Sequence, residues 1–187
     1  MKKSTLNNIL KCILLAIFMC GTITTYAQKK FGGLALYTVR DDMGTNAKAV
    51  EFKKLLKSLK LKPISTHQGS VTLENADQMM ADVKAAGFKY FVIPVPPMGM
   101  FEFNREKMSM GMNGTMEDLA KILTTLGEKA NKAGLKLLYH NHDFEFKKNA
   151  DGIVPIDYLL ENVDSKLLNF QMDLYWVTKA GANPIAY

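Results

Sequence analysis

The chain has 187 residues, of which 48% are hydrophobic and 22% are charged, and its formal net charge is +6. This composition is ordinary for a globular protein and excludes an intrinsically disordered, collagen-like or coiled-coil chain. Lys2, Lys3 and Lys11 supply half of the net charge. The rest of the chain therefore has too little excess charge to indicate nucleic-acid binding.

The N-terminal segment has the three parts of a secretory signal peptide. A basic start precedes an apolar run from Cys12 to Cys20, and a small-residue cleavage site ends at Ala27. The apolar run is shorter than the roughly 20 residues that a membrane-spanning helix needs; an uncleaved anchor and a lipidated Cys20 are the alternatives. We predict a signal peptide at 1–27, a mature domain at 28–187 with no membrane span after cleavage, and a periplasmic or secreted location.

The mature part of the chain alternates short apolar runs with longer amphipathic runs. Five strands are predicted, at 34–39, 62–67, 90–95, 135–142 and 168–173. Apolar residues at helical spacing around 52–59 and 119–126 predict helices with one buried face each. The alternation is typical of a parallel sheet covered by helices.

Three junctions between a helix and the following strand resemble each other. Gly87 and Gly134 stand where a left-handed residue ends a helix, and Lys60 takes the same place in the first junction. A left-handed backbone at a non-glycine residue costs on the order of 1 kcal/mol, which the fold can tolerate. Thr115, with Asp118 three residues later, predicts the N-terminal cap of a helix.

The connection from Pro94 to Thr115 is unusually long and contains several methionines and glycines. Connections of this length in compact domains are usually lids or binding loops, and we predict such a loop here. Met108, Met110 and Met112 alternate along it. Soft thioether ligands select Cu(I), so copper binding is one hypothesis and adaptable apolar packing is the other.

Every histidine lies at or near the C-terminal end of a predicted strand. These residues are His67, His140 and His142, and Asp173 ends a further strand. The loops at this end of parallel sheets and barrels form the active-site face. His140 and His142 are two residues apart, so an extended strand directs both to the same face. The alternative is a set of structural histidines that are hydrogen-bonded within the fold.

Carboxylates and aromatic residues follow the same two strand ends. Glu145 and the histidines could ligate a divalent ion or relay a proton, or Glu145 could be solvated beside histidines that bind backbone carbonyls. Asp173 is a candidate metal ligand or a cap of the next helix. Tyr175 and Trp176 could form a wall for a sugar ring, or they could belong to the core.

Four stretches carry a resemblance to a known family. They are LYTVRDDM at 36–43, KPISTH at 62–67, LYHNHDFEF at 138–146 and MDLYW at 172–176. On these residues the chain resembles the sugar phosphate isomerase/epimerase family, the xylose isomerase-like (β/α)8 barrels that also include inosose dehydratases, and in particular its exported bacterial branch. The third stretch is the most specific, and the likeness runs over essentially the whole mature chain.

The resemblance implies a divalent metal ion, Mn, Mg, Zn or Co, held at the strand ends by two Glu, one Asp and one His. Glu145 matches the first Glu and Asp173 matches the Asp. The three histidines are then substrate contacts or proton-transfer groups. The predicted site comprises the catalytic residues Glu145, His140 and His142, the substrate-binding residues His67, Tyr175 and Trp176, and the metal ligands Glu145 and Asp173.

The chain departs from the family in the number of its strands. A complete barrel has eight strands and typically about 250 residues. The family's second strand is missing at the junction of Val50 and Glu51, and its seventh and eighth strands are not found before Tyr187. We therefore predict an α/β fold that is a partial (β/α)8 TIM barrel, with about five parallel strands, covering helices and no closure. Its open sheet edges favour oligomerisation or aggregation.

The function that the resemblance implies is that of an exported, divalent-metal-dependent sugar isomerase/epimerase. Such enzymes move a proton next to a carbonyl while the metal polarises sugar oxygens. The partner is then a small sugar or sugar derivative, although the active site of this chain is incomplete. The alternatives are a sugar or inosose dehydratase/lyase on the same scaffold, and a non-catalytic carbohydrate- or metal-binding remnant.

Overall fold

The computed structural model describes residues 49–187. The predicted signal peptide at 1–27, the predicted strand at 34–39 and the resemblance at 36–43 lie outside the described residues. Among residues 49–187, no helix is both long and apolar enough to cross a bilayer.

The described part alternates helices and strands. The helices are α1 (Ala49–Ser58), α2 (Ala76–Ala86), α3 (Met116–Lys132), α4 (Pro155–Asn162) and α5 (Leu174–Lys179). The strands are β1 (Ser65–His67), β2 (Tyr90–Ile93), β3 (Phe101–Asn104), β4 (Ser109–Met112), β5 (Lys136–His140) and β6 (Leu168–Gln171). A short 3₁₀ helix covers Phe144–Phe146.

The main sheet contains four parallel strands in the order β1-β2-β5-β6. The predicted α/β class with an open parallel sheet is confirmed, and the four predicted strands that fall in the described residues are all present. Each is shorter than predicted. Pro63 and Pro94 carry no backbone N–H, which limits the ladder before β1 and after β2.

The two faces of this sheet differ in burial. One row of residues in register is fully buried: Thr66, Phe91, Leu137 and Leu168. The neighbouring row on the opposite face is half-buried or exposed except for its valine: His67, Val92, Leu138 and Asn169. Because residues that share a register position in parallel strands share a face, the sheet has one covered apolar face and one more open, more polar face.

The open face is curled. Gln171 of β6 hydrogen-bonds through its side-chain amide to His67 and Ser65 of β1, although β2 and β5 lie between these strands. A flat sheet would hold strands three positions apart at roughly 14 Å with parallel side chains. The contact therefore requires strong curvature toward this face, as in a segment of barrel wall.

The predicted helix around 119–126 is confirmed, with its start and its buried face. The N–H of Asp118 donates to the Thr115 hydroxyl at 3.1 Å. Leu119, Leu123 and Leu126 are buried. The cap and the helical spacing agree, which is why sequence reasoning succeeds for α3.

The predicted helix around 52–59 forms, but its predicted buried face does not. Leu56 is buried, whereas Leu55 and Leu59 are more than half exposed. The helix packs on α2, and that contact covers the Leu56 side only. Helical spacing marks a potential apolar face, and only a neighbouring element decides how much of it is covered.

The three helix-to-strand junctions have the predicted left-handed backbone. The φ angles are +57° at Lys60, +96° at Gly87 and +71° at Gly134. At Lys60, which has a side chain, the left-handed backbone costs on the order of 1 kcal/mol. The same turn is thus used after three successive helices.

The connection at 94–115 is not the irregular loop that its length and glycines suggest. It contains an antiparallel hairpin of β3 and β4, in which Phe101 pairs with Met112 and Phe103 with Met110. Aromatic and methionine residues alternate with polar ones at the period of a strand. The sequence analysis did not predict these two strands. Copper binding by the methionines stays a prediction.

Gly127 lies where α3 crosses the turn before β6. A Cβ at this position would lie 2.5 Å from the carbonyl oxygen of Leu167 and 2.9 Å from its Cβ. We expect Gly127→Ala to lower the free energy of unfolding by about 1–3 kcal/mol, because the helix must move away from a backbone. Urea unfolding measures this. The matched control is Gly111→Ala, whose Cβ meets nothing within 4 Å; equal effects of the two changes would contradict the expectation.

Candidate functional site

Three histidines lie together at the C-terminal ends of the parallel strands. The ring centroids of His67 and His140 are 4.9 Å apart, and those of His140 and His142 are 5.0 Å apart. His67 ends β1 and His140 ends β5. Because β1 and β5 are parallel members of one curled sheet, residues far apart in the chain meet at this end.

His142 reaches this cluster from a turn and not from a strand. The predicted strand at 135–142 ends at His140, so the alternation argument for His142 does not apply to its actual backbone. Its ring nevertheless lies edge-on to that of His140, at an interplanar angle of 84°. The main chain of the turn, and not a strand period, sets the position of this imidazole.

Gln171 orients His67. His67 Nε2 and Gln171 Oε1 are 2.5 Å apart and form a hydrogen bond that fixes the ring. Gln171 Nε2 donates to Ser65 Oγ at 3.3 Å. Sequence reasoning missed Gln171. Its signal is its strand position, since Gln171 is in register with His140 and lies on the same open face.

Two of the three histidines, His140 and His142, favour the neutral form. Burial lowers the pKa of His140 to about 4, and the neighbouring His67 and His142 push it in the same direction against a smaller opposing effect of Asp173. Burial also lowers the pKa of His142. Near pH 7 both rings are therefore uncharged and can accept a proton.

Two ring nitrogens in the cluster have no hydrogen-bond partner in the described part of the chain. They are Nδ1 of His140 and Nδ1 of His142, and both atoms are buried. Buried polar atoms in proteins are nearly always paired. A polar ligand at this end of the sheet would satisfy them.

Trp176 borders the cluster, and Tyr175 extends outward from it. The Trp176 ring lies 5.1 Å from that of His142 and 5.2 Å from that of Tyr175. The Tyr175 side chain is 67% exposed, and Lys179 Nζ lies 4.4 Å from the Trp176 centroid. The exposed Tyr175 and the half-buried Trp176 thus form an aromatic edge next to the histidines and are not part of the buried core.

Asp173 caps α5. The N–H of Tyr175 donates to its carboxylate at 3.0 Å, which is the capping role that the sequence left open. The residue is half-buried, and its negative charge acts on both His140 and His142 in the direction of a higher pKa. Asp173 therefore lies close enough to the histidines to take part in the same site.

Glu145 lies in the 3₁₀ helix Phe144–Phe146. Its side chain is only 1% exposed, so the interpretation of a solvated Glu145 is wrong. Its Oε1 accepts from the Tyr139 hydroxyl at 3.0 Å, and its Oε2 accepts from the His142 N–H at 2.8 Å. Tyr139 is in register with Ile93 and belongs to the covered face. Burial raises the pKa of Glu145 to about 7, although both hydrogen bonds favour the charged form.

The described side chains do not fit the divalent-metal site that the resemblance implies. Within residues 49–187, no three His, Asp or Glu side chains are placed to hold an ion together. Both oxygens of Glu145 are used by the chain itself. The predicted metal ligands Glu145 and Asp173 stay a prediction.

Asn141 ties the ends of β5 and β6 together and was missed by sequence reasoning. Its Oδ1 accepts from the N–H of Asp173 at 2.8 Å, and its Nδ2 donates to the carbonyl of Asp173 at 3.2 Å. The side chain is fully buried. It therefore continues the pairing of two parallel strands beyond the end of their ladder. The only signal in the sequence is a polar residue between two histidines.

Asn141→Ala is expected to lower the free energy of unfolding by about 2 kcal/mol, because the part-buried N–H of Asp173 loses its partner and the Asp173 carbonyl keeps only its bond from the Val177 N–H. Chemical denaturation measures the change. Asn162→Ala is the matched control, since Asn162 is exposed and makes a single bond to the Tyr158 carbonyl; it should cost no more than about 0.5 kcal/mol. Similar losses in the two variants would contradict the role of Asn141.

Comparison with known proteins shows likeness at the level of structure. No protein-family model and no curated protein matches the chain. Two sugar phosphate isomerase/epimerase structures from Parabacteroides distasonis ATCC 8503 match with 21% identity. The first has a TM-score of 0.58, and the match covers 74% of this chain and 51% of the matched chain. The second has a TM-score of 0.60, and the match covers 88% of this chain and 72% of the matched chain. A 3-keto-D-glucoside 4-epimerase from E. coli matches with 18% identity and a TM-score of 0.51. This match covers 83% of this chain and 69% of the epimerase chain.

The chain spans about half the length of the first of these structures. At such identities the likeness concerns the fold and not the activity. It agrees with the curled, open parallel sheet. The predicted fold is confirmed: the described chain has the architecture of the xylose isomerase-like TIM barrels, as an unclosed part of one.

Proposed function

We propose that this chain carries the histidine-lined part of a sugar isomerase/epimerase-type site, which moves a proton at a carbon next to a carbonyl. One observation supports this most. His67, His140 and His142 meet as a cluster at the active-site end of the sheet, and burial lowers the pKa of His140 to about 4. A neutral imidazole at this place is a proton acceptor at neutral pH.

The chemistry requires one base and one route for returning the proton. An imidazole nitrogen of His140 or His142 takes the proton from the carbon that bears a hydroxyl beside the carbonyl, and the electron pair moves to the carbonyl oxygen as an enediolate. Return of the proton to the other face of that carbon gives the epimer. Return to the former carbonyl carbon, together with movement of the hydroxyl proton to the former carbonyl oxygen, gives the isomer.

A keto-sugar is the substrate class that we propose. Trp176 and Tyr175 form an aromatic edge beside His142, and aromatic faces suit the apolar C–H face of a sugar ring. The names of the structural neighbours, sugar phosphate isomerase/epimerase and 3-keto-D-glucoside 4-epimerase, support the same class. Export of the protein, predicted from residues 1–27, stays a prediction.

The divalent metal ion also stays a prediction. Asp173 is the carboxylate whose charge acts on both His140 and His142, so it is the ligand that we would assign first. Glu145 does not fit this role in the observed arrangement. The proposed proton transfer by the histidines involves no metal step.

Hydrogen exchange tests the proposal. The full chain is incubated with a 3-keto-glucoside in D₂O, and proton NMR follows loss of the signal at the carbon beside the carbonyl, with and without EDTA. Exchange that depends on the protein is expected; a decrease with EDTA would support the metal. A dehydratase would instead give an unsaturated product in the same spectra. No exchange by freshly folded protein, with or without added Mn²⁺, would contradict the proposal.

Sugar binding without catalysis is the second candidate. It is favoured by the lack of a three-ligand metal group in residues 49–187 together with an intact aromatic edge. It predicts that a keto-sugar perturbs the histidine NMR signals, that EDTA has no effect on this perturbation, and that no exchange occurs. The first experiment and this titration together separate the two candidates.

A further inference from the structure

The turn that follows β5 places His142 in the histidine cluster, and a side-chain hydrogen bond holds the main chain of this turn. The N–H of His142 donates to Oε2 of Glu145 at 2.8 Å. Glu145 follows three residues later, in the 3₁₀ helix Phe144–Phe146. A glutamate that reaches back to an N–H just before a helix closes the turn on itself, as in a capping box.

The same carboxylate is fixed from the other side. Tyr139, a fully buried residue of β5, donates its hydroxyl to Oε1 at 3.0 Å. Glu145 is thus held between the covered face of the sheet and the turn, away from the open face that carries His140. To reach a substrate among the histidines it would have to break both hydrogen bonds.

The imidazole of His142 depends on this anchor. Its ring packs against His140 and Trp176 and stacks on Phe144 at 6.5 Å. Within the described residues its Nδ1 has no hydrogen-bond partner. Ring packing and the position of the main chain therefore orient it, and the main chain is fastened by Glu145.

We propose, on the basis of the proposed function, that Glu145 is a positioning residue that holds the His142 main chain, and with it the imidazole, in the histidine cluster. It touches neither the substrate nor a metal ion. Tyr139 is its support. This assignment replaces the catalytic and metal-ligand roles that the resemblance implies for Glu145.

Substitution by glutamine separates the two roles. In Glu145→Gln the amide oxygen can accept from the His142 N–H, and the amide NH₂ can donate to the Tyr139 oxygen, so both contacts survive. A neutral amide is a poor metal ligand and no proton acceptor. A positioning role therefore predicts rescue by glutamine and loss with alanine, whereas a metal-ligand or base role predicts loss with both.

NMR of the histidine rings gives a readout that does not need activity. The chain contains three histidines, all in the cluster, so a sample labelled with ¹³C-histidine shows three imidazole signals, and His142→Gln identifies one by its loss. Glu145→Ala is expected to shift or broaden the His142 signal. The His67 signal should stay unchanged, because Gln171 holds that ring. Glu145→Gln should leave all three near their original positions. The exposed Glu161→Ala is the control for loss of an acidic residue.

Proton exchange completes the test. Displacement of a catalytic group by about 1 Å can cost on the order of 100-fold in rate, so we expect such a loss in Glu145→Ala, mainly in kcat, and recovery to within several-fold in Glu145→Gln. If Glu145→Ala does not fold, Tyr139→Phe replaces it, with a smaller shift of the same His142 signal expected.

The outcomes are distinguishable. Unmoved His142 signals in the folded Glu145→Ala or Tyr139→Phe variants, or a Glu145→Gln variant as inactive as Glu145→Ala, would overturn the positioning role. The expected NMR shifts in a protein that shows no exchange at all would support the positioning of His142 and refute the catalytic function proposed above.

Discussion

His142→Gln and His140→Gln are each expected to slow proton exchange at the keto-sugar carbon by about 10²–10⁴-fold, the usual contribution of a general base. Glutamine is close in size to histidine and can hydrogen-bond, but it cannot take up a proton. Both imidazoles lie at the open end of the sheet with buried, unpartnered Nδ1 atoms. The variant with the larger loss in kcat identifies the base, and NMR exchange rates in D₂O measure it.

Gln78→Ala is the control, since Gln78 is an exposed residue of α2. It should exchange the sugar proton at the rate of the unsubstituted chain. Losses below about tenfold in both histidine variants would contradict general-base catalysis by this pair. The pH profile gives a second check: the rate should fall as the pH falls through the pKa of His140, about 4, if His140 is the base.

Glu145→Gln is expected to change the pH dependence of stability. Burial raises the pKa of Glu145 from 4.5 to about 7. Between these values the folded chain retains a proton that the unfolded chain has lost, so the contribution of Glu145 to stability falls as the pH rises. The shift corresponds to roughly 3 kcal/mol. The variant carries no such carboxyl and should gain about this amount relative to the original chain between pH 4.5 and pH 8.

His140 changes the free energy of unfolding with pH in the opposite direction, over an overlapping range of pH. Its pKa is lowered from 6.5 to about 4, so the unfolded chain binds a proton first and stability falls as the pH falls from 6.5. The two slopes oppose each other between pH 4.5 and 6.5 in the original chain. Glu145→Gln should reveal the His140 slope, and His140→Gln should reveal that of Glu145.

Urea unfolding at half-unit steps of pH measures these slopes. The quantity compared is the difference in the free energy of unfolding between each variant and the original chain. A difference for Glu145→Gln that does not vary with pH would show that Glu145 is ionised normally in the folded protein. Gln78→Ala removes no titratable group, so it should give such a constant difference and serves as the control.

Local patterns were sufficient for most of the framework. The helical spacing and the Thr115 cap predicted α3, and the glycines at 87 and 134 marked the left-handed turns. These signals succeed because each depends on a few consecutive residues. The hairpin of β3 and β4 was missed because the connection was interpreted from its length and not from the alternation within each strand.

The site was predicted in part. The strand-end positions of His67, His140 and His142 indicated where they would meet, because parallel strands end on the same side. The partners of these residues were not accessible in this way. Gln171 meets His67 across two intervening strands, and nothing in the local sequence of either residue reports the curvature that brings them together.

The sequence by itself determined the α/β class, the order of helices and strands, and the end of the sheet at which the histidines lie, since these follow from periodicity, caps and strand direction. Only the tertiary structure decided which groups face each other. The hydroxyl of buried Tyr139 and the main chain of the turn at His142 decide whether the Glu145 carboxylate faces the histidine cluster or the covered side of the sheet. Long-range packing chooses hydrogen-bond partners, and so it separates a carboxylate that acts on substrate from one that holds a catalytic residue in place.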